Sequence, residues 1–233
     1  MGHPTTARGA TMSAYAIALA AEIDRRINAL PHQTTQPIRL VRREYTRRLR
    51  DAEGEEVIAI ADALVDSHRW VAYELVYHHH GARTSLAIDQ VTRLGRGLDG
   101  WASVDAFARY ISGPAWQRRL IPDGLVHAWA ASPDRWWRRA ALVSTVPLNL
   151  RSAGGSGDAA RTLDICRRLV ADRDDMVVKA LSWALRELTV WDPAAVRGFL
   201  DDHGDAVAAR VLREVTTKLD TGRKDRRQAK PST

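Results

Sequence analysis

Apolar residues recur at spacings of three and four along most of the chain, which is the pattern of amphipathic α-helices. No stretch shows the sustained alternation of apolar and polar residues that is typical of a β-strand. Short breakers that contain Gly or Pro separate the apolar stretches. The pattern therefore predicts an all-α fold with helices over residues 13–30, 37–51, 53–66, 69–81, 84–96, 102–112, 115–131, 134–149, 158–171, 174–190, 193–203 and 205–220.

A segment that begins at Asp134 recurs forty positions later, at Asp174. In both copies an acid that can cap a helix precedes apolar residues and then a base followed by alanine, which aligns Arg139 with Lys179. A period near forty residues is typical of HEAT and armadillo repeats, each of which is a helix pair. Twelve helices joined by short turns then predict a HEAT-like helical-repeat solenoid of about six antiparallel pairs, with a concave basic face for a rod-like ligand.

The two ends of the chain differ in composition from the rest. Residues 1–12 are predicted to be a disordered leader, and residues 222–233 a basic disordered tail. Residues 13–221 are predicted to form a single domain. No apolar run is long enough to span a membrane, and the first residues lack a signal-peptide pattern.

The chain is strongly basic, with a net charge of +7 and a pI of about 10. Such a balance favours a polyanionic partner, nucleic acid first and an anionic membrane second. Arginine suits bidentate phosphate contacts, although the excess of 31 Arg over 4 Lys is also what a GC-rich genome would produce. The single cysteine, Cys166, excludes disulfides and a cysteine-based zinc site within one chain and suits a reduced, cytosolic setting.

Trp101 and Asp105 are four residues apart and therefore lie on the same face of any helix that spans both. An indole face beside a carboxylate stabilises a developing cation, because the ring contributes its quadrupole and the carboxylate its charge. The alternative is purely structural: an acid in the first helical turn, near the positive end of the helix dipole, beside a packed tryptophan.

Two further helices carry tryptophan next to bases. Trp183 and Arg186 flank an apolar set of leucines, so that Trp183 can close a site opposite Trp101 while Arg186 reaches a phosphate. In the pair Arg138 and Arg139, neighbouring side chains point about 100° apart, so only one of them can face the groove. Arg139 is the better candidate for the inner face, because the repeat aligns it with Lys179. Each of these residues can instead be a packed tryptophan or a solvated surface charge.

The run His78-His79-His80 suggests a metal site at first sight. Consecutive helical residues point in different directions, however, and carboxylate or cysteine partners at ligand spacing are absent from the sequence. The chain also lacks a Gly-rich phosphate loop, a nucleophile elbow and a zinc-deaminase signature. We therefore predict neither a metal nor a cofactor.

Three segments in this order resemble the bacterial alkylpurine DNA glycosylases of the HEAT-like-repeat type, the AlkD family. They are Trp101-x-x-x-Asp105, Trp136-x-x-Arg139-x-Ala141 and Lys179-Ala-Leu-Ser-Trp183-Ala-Leu-Arg186-Glu187, followed by Leu212-Arg213-Glu214. The resemblance runs from about residue 36 to 220, and the N-terminal helix pairs match poorly.

This resemblance implies a monofunctional DNA glycosylase that removes cationic N3- or N7-alkylated purines from double-stranded DNA, without lyase activity. It implies a catalytic cluster of Asp105, Trp101 and Trp183, and a monomer that works in the cytoplasm at the nucleoid. The residues expected to contact DNA are Arg139, Arg186, Arg138, Lys179, Arg213 and Arg43.

Members of this family can leave the damaged base stacked, so bulky minor-groove adducts of the yatakemycin type are possible substrates, as in self-resistance of antibiotic producers. The alternatives are a non-catalytic relative that binds branched or distorted DNA and a HEAT-type scaffold for protein interactions.

Overall fold

The computed structural model describes residues 13–223. Over these residues the chain forms fourteen α-helices, one π-helical turn and one 3₁₀ turn, and no strand. The all-α prediction is therefore confirmed for this part of the chain. The predicted leader, residues 1–12, and residues 224–233 of the predicted tail lie outside it. The chain divides into two compact units, which meet in sequence between Ala82 and Arg83.

The first unit packs two helices against a long third one. Its helices are α1 (Ala14–Asn28), α2 (Thr35–Arg48) and α3 (Gly54–His78), and α4 (His80–Ser85) spans the boundary between the units. The backbone of α3 is kinked at His68, where φ is −134° and ψ is 60°, which matches the predicted break between residues 66 and 69. A buried ion pair between Arg42 and Glu74, with an N–O distance of 2.7 Å, joins α2 to α3.

The second unit contains the remaining helices. They are α5 (Ile88–Leu94), α6 (Trp101–Phe107), α7 (Gly113–Gln117), α8 (Asp123–Ala130), α9 (Arg135–Val143), α10 (Val146–Asn149), α11 (Ala159–Arg168), α12 (Asp175–Leu188), α13 (Pro193–His203) and α14 (Ala209–Thr221). Within this unit α9 packs against α6, α8 and α12, and α12 packs against α14. The apolar faces of these helices form its core, with Leu142, Leu181 and Leu185 at most 1% exposed.

The forty-residue repeat has the same local geometry in both copies. The carboxylate of Asp134 accepts a hydrogen bond from the backbone N–H of Trp136 at 2.8 Å, and that of Asp174 accepts one from Met176 at 2.9 Å. Each aspartate thus caps its helix by bonding one of the backbone donors that a helix start leaves unpaired. The repeated acid therefore fixes where α9 and α12 begin.

Three predicted helices are wrong in their extent. The helix predicted over residues 84–96 is interrupted, since α4 (His80–Ser85) covers its predicted start and α5 begins only at Ile88. The helix predicted over residues 115–131 is broken after Gln117, where Arg119 adopts a positive φ of 62°, and the chain resumes as α8 after Pro122. The helix predicted over residues 134–149 is α9 followed by the short α10, which restarts at a proline-containing first turn. Proline favours the first turn of a helix, where its missing N–H is not needed, so the placement of Pro147 accounts for the start of α10. The number of stacked pairs and the concave face stay predictions.

Candidate functional site

The start of α6 places Trp101 and Asp105 one helical turn apart. The backbone of Gly100 is extended at the helix N-cap, and its N–H donates a hydrogen bond of 3.2 Å to the Ser103 hydroxyl. Trp101, the first residue of the helix, is 59% exposed. Asp105 is only partly exposed and lies on the side of α6 that packs against α9.

A π-helical turn, Ala108–Ser112, follows directly after α6. Such turns add one residue to a helical turn and change the register of the helix at that point. The buried hydroxyl of Ser112 lies 2.7 Å from that of Ser144 at the C-terminal end of α9, and Ser144 donates to the carbonyl of Ala140 at 2.6 Å. This hydrogen-bonded link holds the helix that carries Asp105 in a fixed relation to α9.

Arg139 of α9 binds the Asp105 carboxylate through two parallel hydrogen bonds. Its Nε donates to Oδ1 at 2.9 Å and its Nη2 donates to Oδ2 at 2.8 Å. Its Nη1 donates to the carbonyl oxygen of Met176, in the first turn of α12, at 2.6 Å. Because Arg139 is only 5% exposed and its guanidinium is bonded on three nitrogens, the position and orientation of the Asp105 carboxylate are tightly fixed.

The surroundings of Asp105 have opposing effects on its acidity. Burial, the largest influence, disfavours the ionised carboxylate, whereas the hydrogen bonds and positive charge of Arg139 favour it. The net result is a pKa of Asp105 raised above the ordinary value of an aspartate. The site therefore holds a partly desolvated carboxylate, oriented by a guanidinium, whose interaction with a nearby cation is weakly screened by solvent.

A cleft of about 380 Å³ has Arg139 in its wall, whereas Asp105 and Trp101 are not among the residues that line it. Four cationic side chains, one indole and one carboxylate line it: Arg139, Lys179, Arg186, Arg210, Trp183 and Glu214. Arg139 therefore connects Asp105, which it binds directly, with Trp183, which lines the same cleft. This composition, rich in cations and bearing an aromatic ring, suits a phosphate-containing ligand with a flat or cationic group.

Hydrogen bonds within and between α12 and α14 organise the cations of the cleft. Ser182 donates to Glu214 at 2.7 Å, Arg210 donates to Glu214 at 2.9 Å, and Nε of Arg186 donates to Ser182 at 3.2 Å. Burial alone would raise the pKa of Glu214, but these hydrogen bonds from Ser182 and Arg210 lower it below its ordinary value. Glu214 is thus an ionised carboxylate that binds Arg210 directly and lies 3.8 Å from Nε of Arg186 at the cleft wall.

Trp183 is oriented by its own helix. Its indole N–H donates to the carboxylate of Glu187, one turn further along α12, at 3.0 Å. The ring is only partly exposed, and the leucines around it in sequence face the core, as their spacing predicts. The ring therefore has a polar anchor at one edge, while part of the side chain remains exposed at the cleft.

The remaining predicted site residues lie elsewhere. Arg138 donates to Asp172 at 2.7 Å and to the backbone carbonyls of Ser132 and Pro133, and it does not line the cleft. Arg213 is exposed on α14, and Arg43 is exposed on α2 of the first unit. Their roles in binding stay predictions.

Two residues of the cleft were missed or undervalued in the sequence. Arg210 was not among the residues expected to contact DNA, and Glu214 entered only as part of the motif Leu212-Arg213-Glu214. Their spacing of four residues on one helix is the signal that relates them, since such a pair faces the same side. The sequence favoured Arg213, which is three residues from Arg210 and is not among the cleft residues.

One member of the histidine run, His79, has a structural role. The imidazole of His79 is buried, and its Nδ1 accepts a hydrogen bond from the backbone N–H of Ala82 at 3.0 Å. Within residues 13–223, no group of three or more His, Cys, Asp or Glu side chains is arranged to hold a metal ion. No helix in this range is both long and apolar enough to cross a bilayer.

Comparison with known protein families gives one match. The family model described as a DNA alkylation repair enzyme matches residues 33–219, which is most of the chain and includes every residue of the cleft. Comparisons with curated proteins and with solved structures gave no match.

Proposed function

Because the chain belongs to the family of DNA alkylation repair enzymes, we propose that it is a monofunctional DNA glycosylase. The proposed reaction is hydrolysis of the N-glycosidic bond of cationic N3- or N7-alkylated purines in duplex DNA. The observation that carries this proposal is the Asp105 carboxylate, which Arg139 fixes beside a cationic cleft that also contains Trp183.

The chemistry requires little acid catalysis. An alkylated purine already carries a positive charge, so the electron pair of the glycosidic bond passes to the base and the base leaves neutral. The deoxyribose is left as an oxocarbenium-like cation, which a fixed carboxylate stabilises electrostatically. Water then attacks C1′ and gives up a proton, for which the Asp105 carboxylate is a suitable acceptor.

The two tryptophans complete the proposed cluster. Trp183 would place its ring against the cationic sugar from the cleft wall, and Trp101 would contact the same nucleotide from the start of α6. Rings stabilise cations through their electron-rich faces, and this effect grows when water is excluded. The high exposure of Trp101 leaves its ring available to a ligand.

The contacts of Lys179 support the absence of lyase activity. This lysine lines the cleft, but its ammonium donates to the Asp175 carboxylate at 2.6 Å. A lyase needs a neutral amine that attacks the sugar and forms a Schiff base. An ammonium has no free electron pair with which to attack the sugar, so borohydride should trap no covalent DNA complex.

DNA binding is proposed to rely on the cations of the second unit. Lys179, Arg186 and Arg210 would contact backbone phosphates in and around the cleft. Arg139, Arg213, Arg138 and Arg43 are further candidates for phosphate contacts. Such contacts are independent of base sequence and sensitive to salt. A single chain carries the whole proposed cluster, which is compatible with a monomer acting on the nucleoid in the cytoplasm.

The first experiment measures base release from two duplexes, one with 7-methylguanine and one with a bulky N3-alkyladenine adduct. Release of the methylated base supports general alkylation repair, and release of the bulky adduct alone supports self-resistance. Asp105→Asn is the control. It should lose at least about 100-fold in base release while duplex affinity stays within a few-fold.

Base release by Asp105→Asn at the wild-type rate would rule out the catalytic role of Asp105. Tight DNA binding by the wild-type protein without release of either base would replace the proposal by the non-catalytic alternative.

A further inference from the structure

Asp175 bridges two cations of the cleft that belong to different helices. Its Oδ2 accepts from the Lys179 ammonium at 2.6 Å, one turn along α12, and its Oδ1 lies 3.3 Å from Nη1 of Arg210 on α14. Asp175 itself does not line the cleft. One carboxylate at its edge thus holds two of the cations that would meet DNA.

A phosphodiester can make the same bridge between two cations. A phosphodiester presents two non-bridging oxygens, and here each of two carboxylate oxygens serves one cation. The pKa of Asp175 is lowered, chiefly by its hydrogen bond from Lys179, so the group is an anion at neutral pH. An approaching phosphate and Asp175 therefore require the same partners.

We propose that Asp175 is an intramolecular phosphate mimic, which competes with DNA for Lys179 and Arg210 and so lowers the affinity of the protein for undamaged duplex. This inference rests on the DNA-binding part of the proposed function and is independent of base release. Its consequence is a protein that dissociates readily from undamaged DNA.

Solvent exposure makes this competition reversible. The side chain of Asp175 is 59% exposed and those of Lys179 and Arg210 are each 39% exposed. Ion pairs in such surroundings are weak and screened by salt. By contrast, Glu214 is only 12% exposed and also bonds Ser182, so Arg210 keeps one partner when Asp175 is displaced.

The test measures the dissociation constant for an undamaged duplex at about 50 mM salt. Asp175→Asn should bind about two- to fivefold more tightly than the wild-type protein, and the gain should shrink as salt increases. The matched control is Asp89→Asn. Asp89 also lies in the first turn of a helix and pairs with a base four residues later, Arg93 at 2.6 Å, but Arg93, unlike Lys179 and Arg210, does not line the cleft.

A triple mutant separates competition from a general effect of charge. The triple variant combines Asp175→Asn with Lys179→Ala and Arg210→Ala, and its duplex affinity is compared with that of the double alanine variant. If Asp175 acts through its two cations, Asp175→Asn should raise the affinity of the double alanine variant much less than it raises that of the wild-type protein. A merely structural role would change the unfolding midpoint and not this coupling.

An unchanged or weaker affinity of Asp175→Asn overturns the inference, because Asp175 would then organise the cations instead of competing for them. An equal gain in Asp89→Asn also overturns it, since net charge alone would explain the effect. Failure of the wild-type protein to bind any duplex would overturn the proposed function as well, so the two failures are distinguishable.

Discussion

Arg139 and Asp105 form a bidentate ion pair between α9 and α6, with N–O distances of 2.9 and 2.8 Å. The third bonded nitrogen of Arg139 is held by the carbonyl of Met176 at the start of α12. The Arg139 guanidinium thus connects α6, α9 and α12 beside the Asp105 carboxylate. The sequence suggested Arg139 as a phosphate contact, and that role stays a prediction. Its bonds within the protein favour a positioning residue for Asp105.

Arg139→Gln should change the pH dependence of base release. The carboxylate must be ionised to stabilise the sugar cation, and burial already raises the pKa of Asp105 while Arg139 opposes this effect. Loss of the guanidinium should therefore raise this pKa further and move the acid limb of the pH–rate profile to higher pH. The single-turnover rate at neutral pH should fall about 10- to 100-fold, because the carboxylate also loses its orientation.

Arg139→Lys tests orientation separately from charge. It keeps the positive charge but not the two-pronged geometry, so the acid limb should shift less than in Arg139→Gln while the rate still falls. An acid limb that stays in place in both variants would argue that Arg139 does not act on Asp105.

Trp101→Ala should lower base release without weakening the fold. The side chain is 59% exposed, so its removal leaves no cavity in the core and the unfolding midpoint should stay within about 1 °C of the wild-type value. The single-turnover rate should fall about 2- to 30-fold if the ring faces the sugar cation. Wild-type rates in Trp101→Ala would remove this residue from the proposed cluster.

The salt dependence of duplex binding should identify the phosphate contacts. Lys179→Ala and Arg186→Ala should each reduce the slope of log K against log salt concentration by about 0.9. Arg168→Ala is the control, because Arg168 is an exposed arginine of α11 that pairs with Asp164 and does not line the cleft. If Lys179→Ala and Arg186→Ala kept the slope of the wild-type protein, as Arg168→Ala should, the cleft would not be the duplex-binding surface.

The two caps of the forty-residue repeat should contribute similarly to stability. Asp134→Ala and Asp174→Ala should each lower the free energy of unfolding by about 1 kcal/mol, because each removes a bond to a backbone N–H in the first helical turn. Urea denaturation measures this effect, with the exposed Asp220→Ala as reference. A loss as large in Asp220→Ala would mean that the caps have no special role.

Much of the local structure follows from the sequence because its causes are local. Apolar spacing gave the helices of the described chain, and the repeated aspartates gave the starts of α9 and α12 through hydrogen bonds that span two residues. The prediction of one helix over residues 115–131 was wrong, because a backbone turn at Arg119 ends the helix after Gln117 although the apolar pattern continues.

In the candidate site, too, some features follow from the local sequence and others only from the packing of distant helices. The sequence alone placed Trp101 and Asp105 on one helical face and identified Trp183, Lys179 and Arg186 as candidates, because residues three or four apart on a helix are neighbours. Only the tertiary structure decided that Arg139 binds Asp105, and that Arg210 and Glu214, and not Arg213, line the cleft. These contacts join helices more than thirty residues apart, and the rotation of each helix about its axis is set by packing against its neighbours rather than by its own sequence.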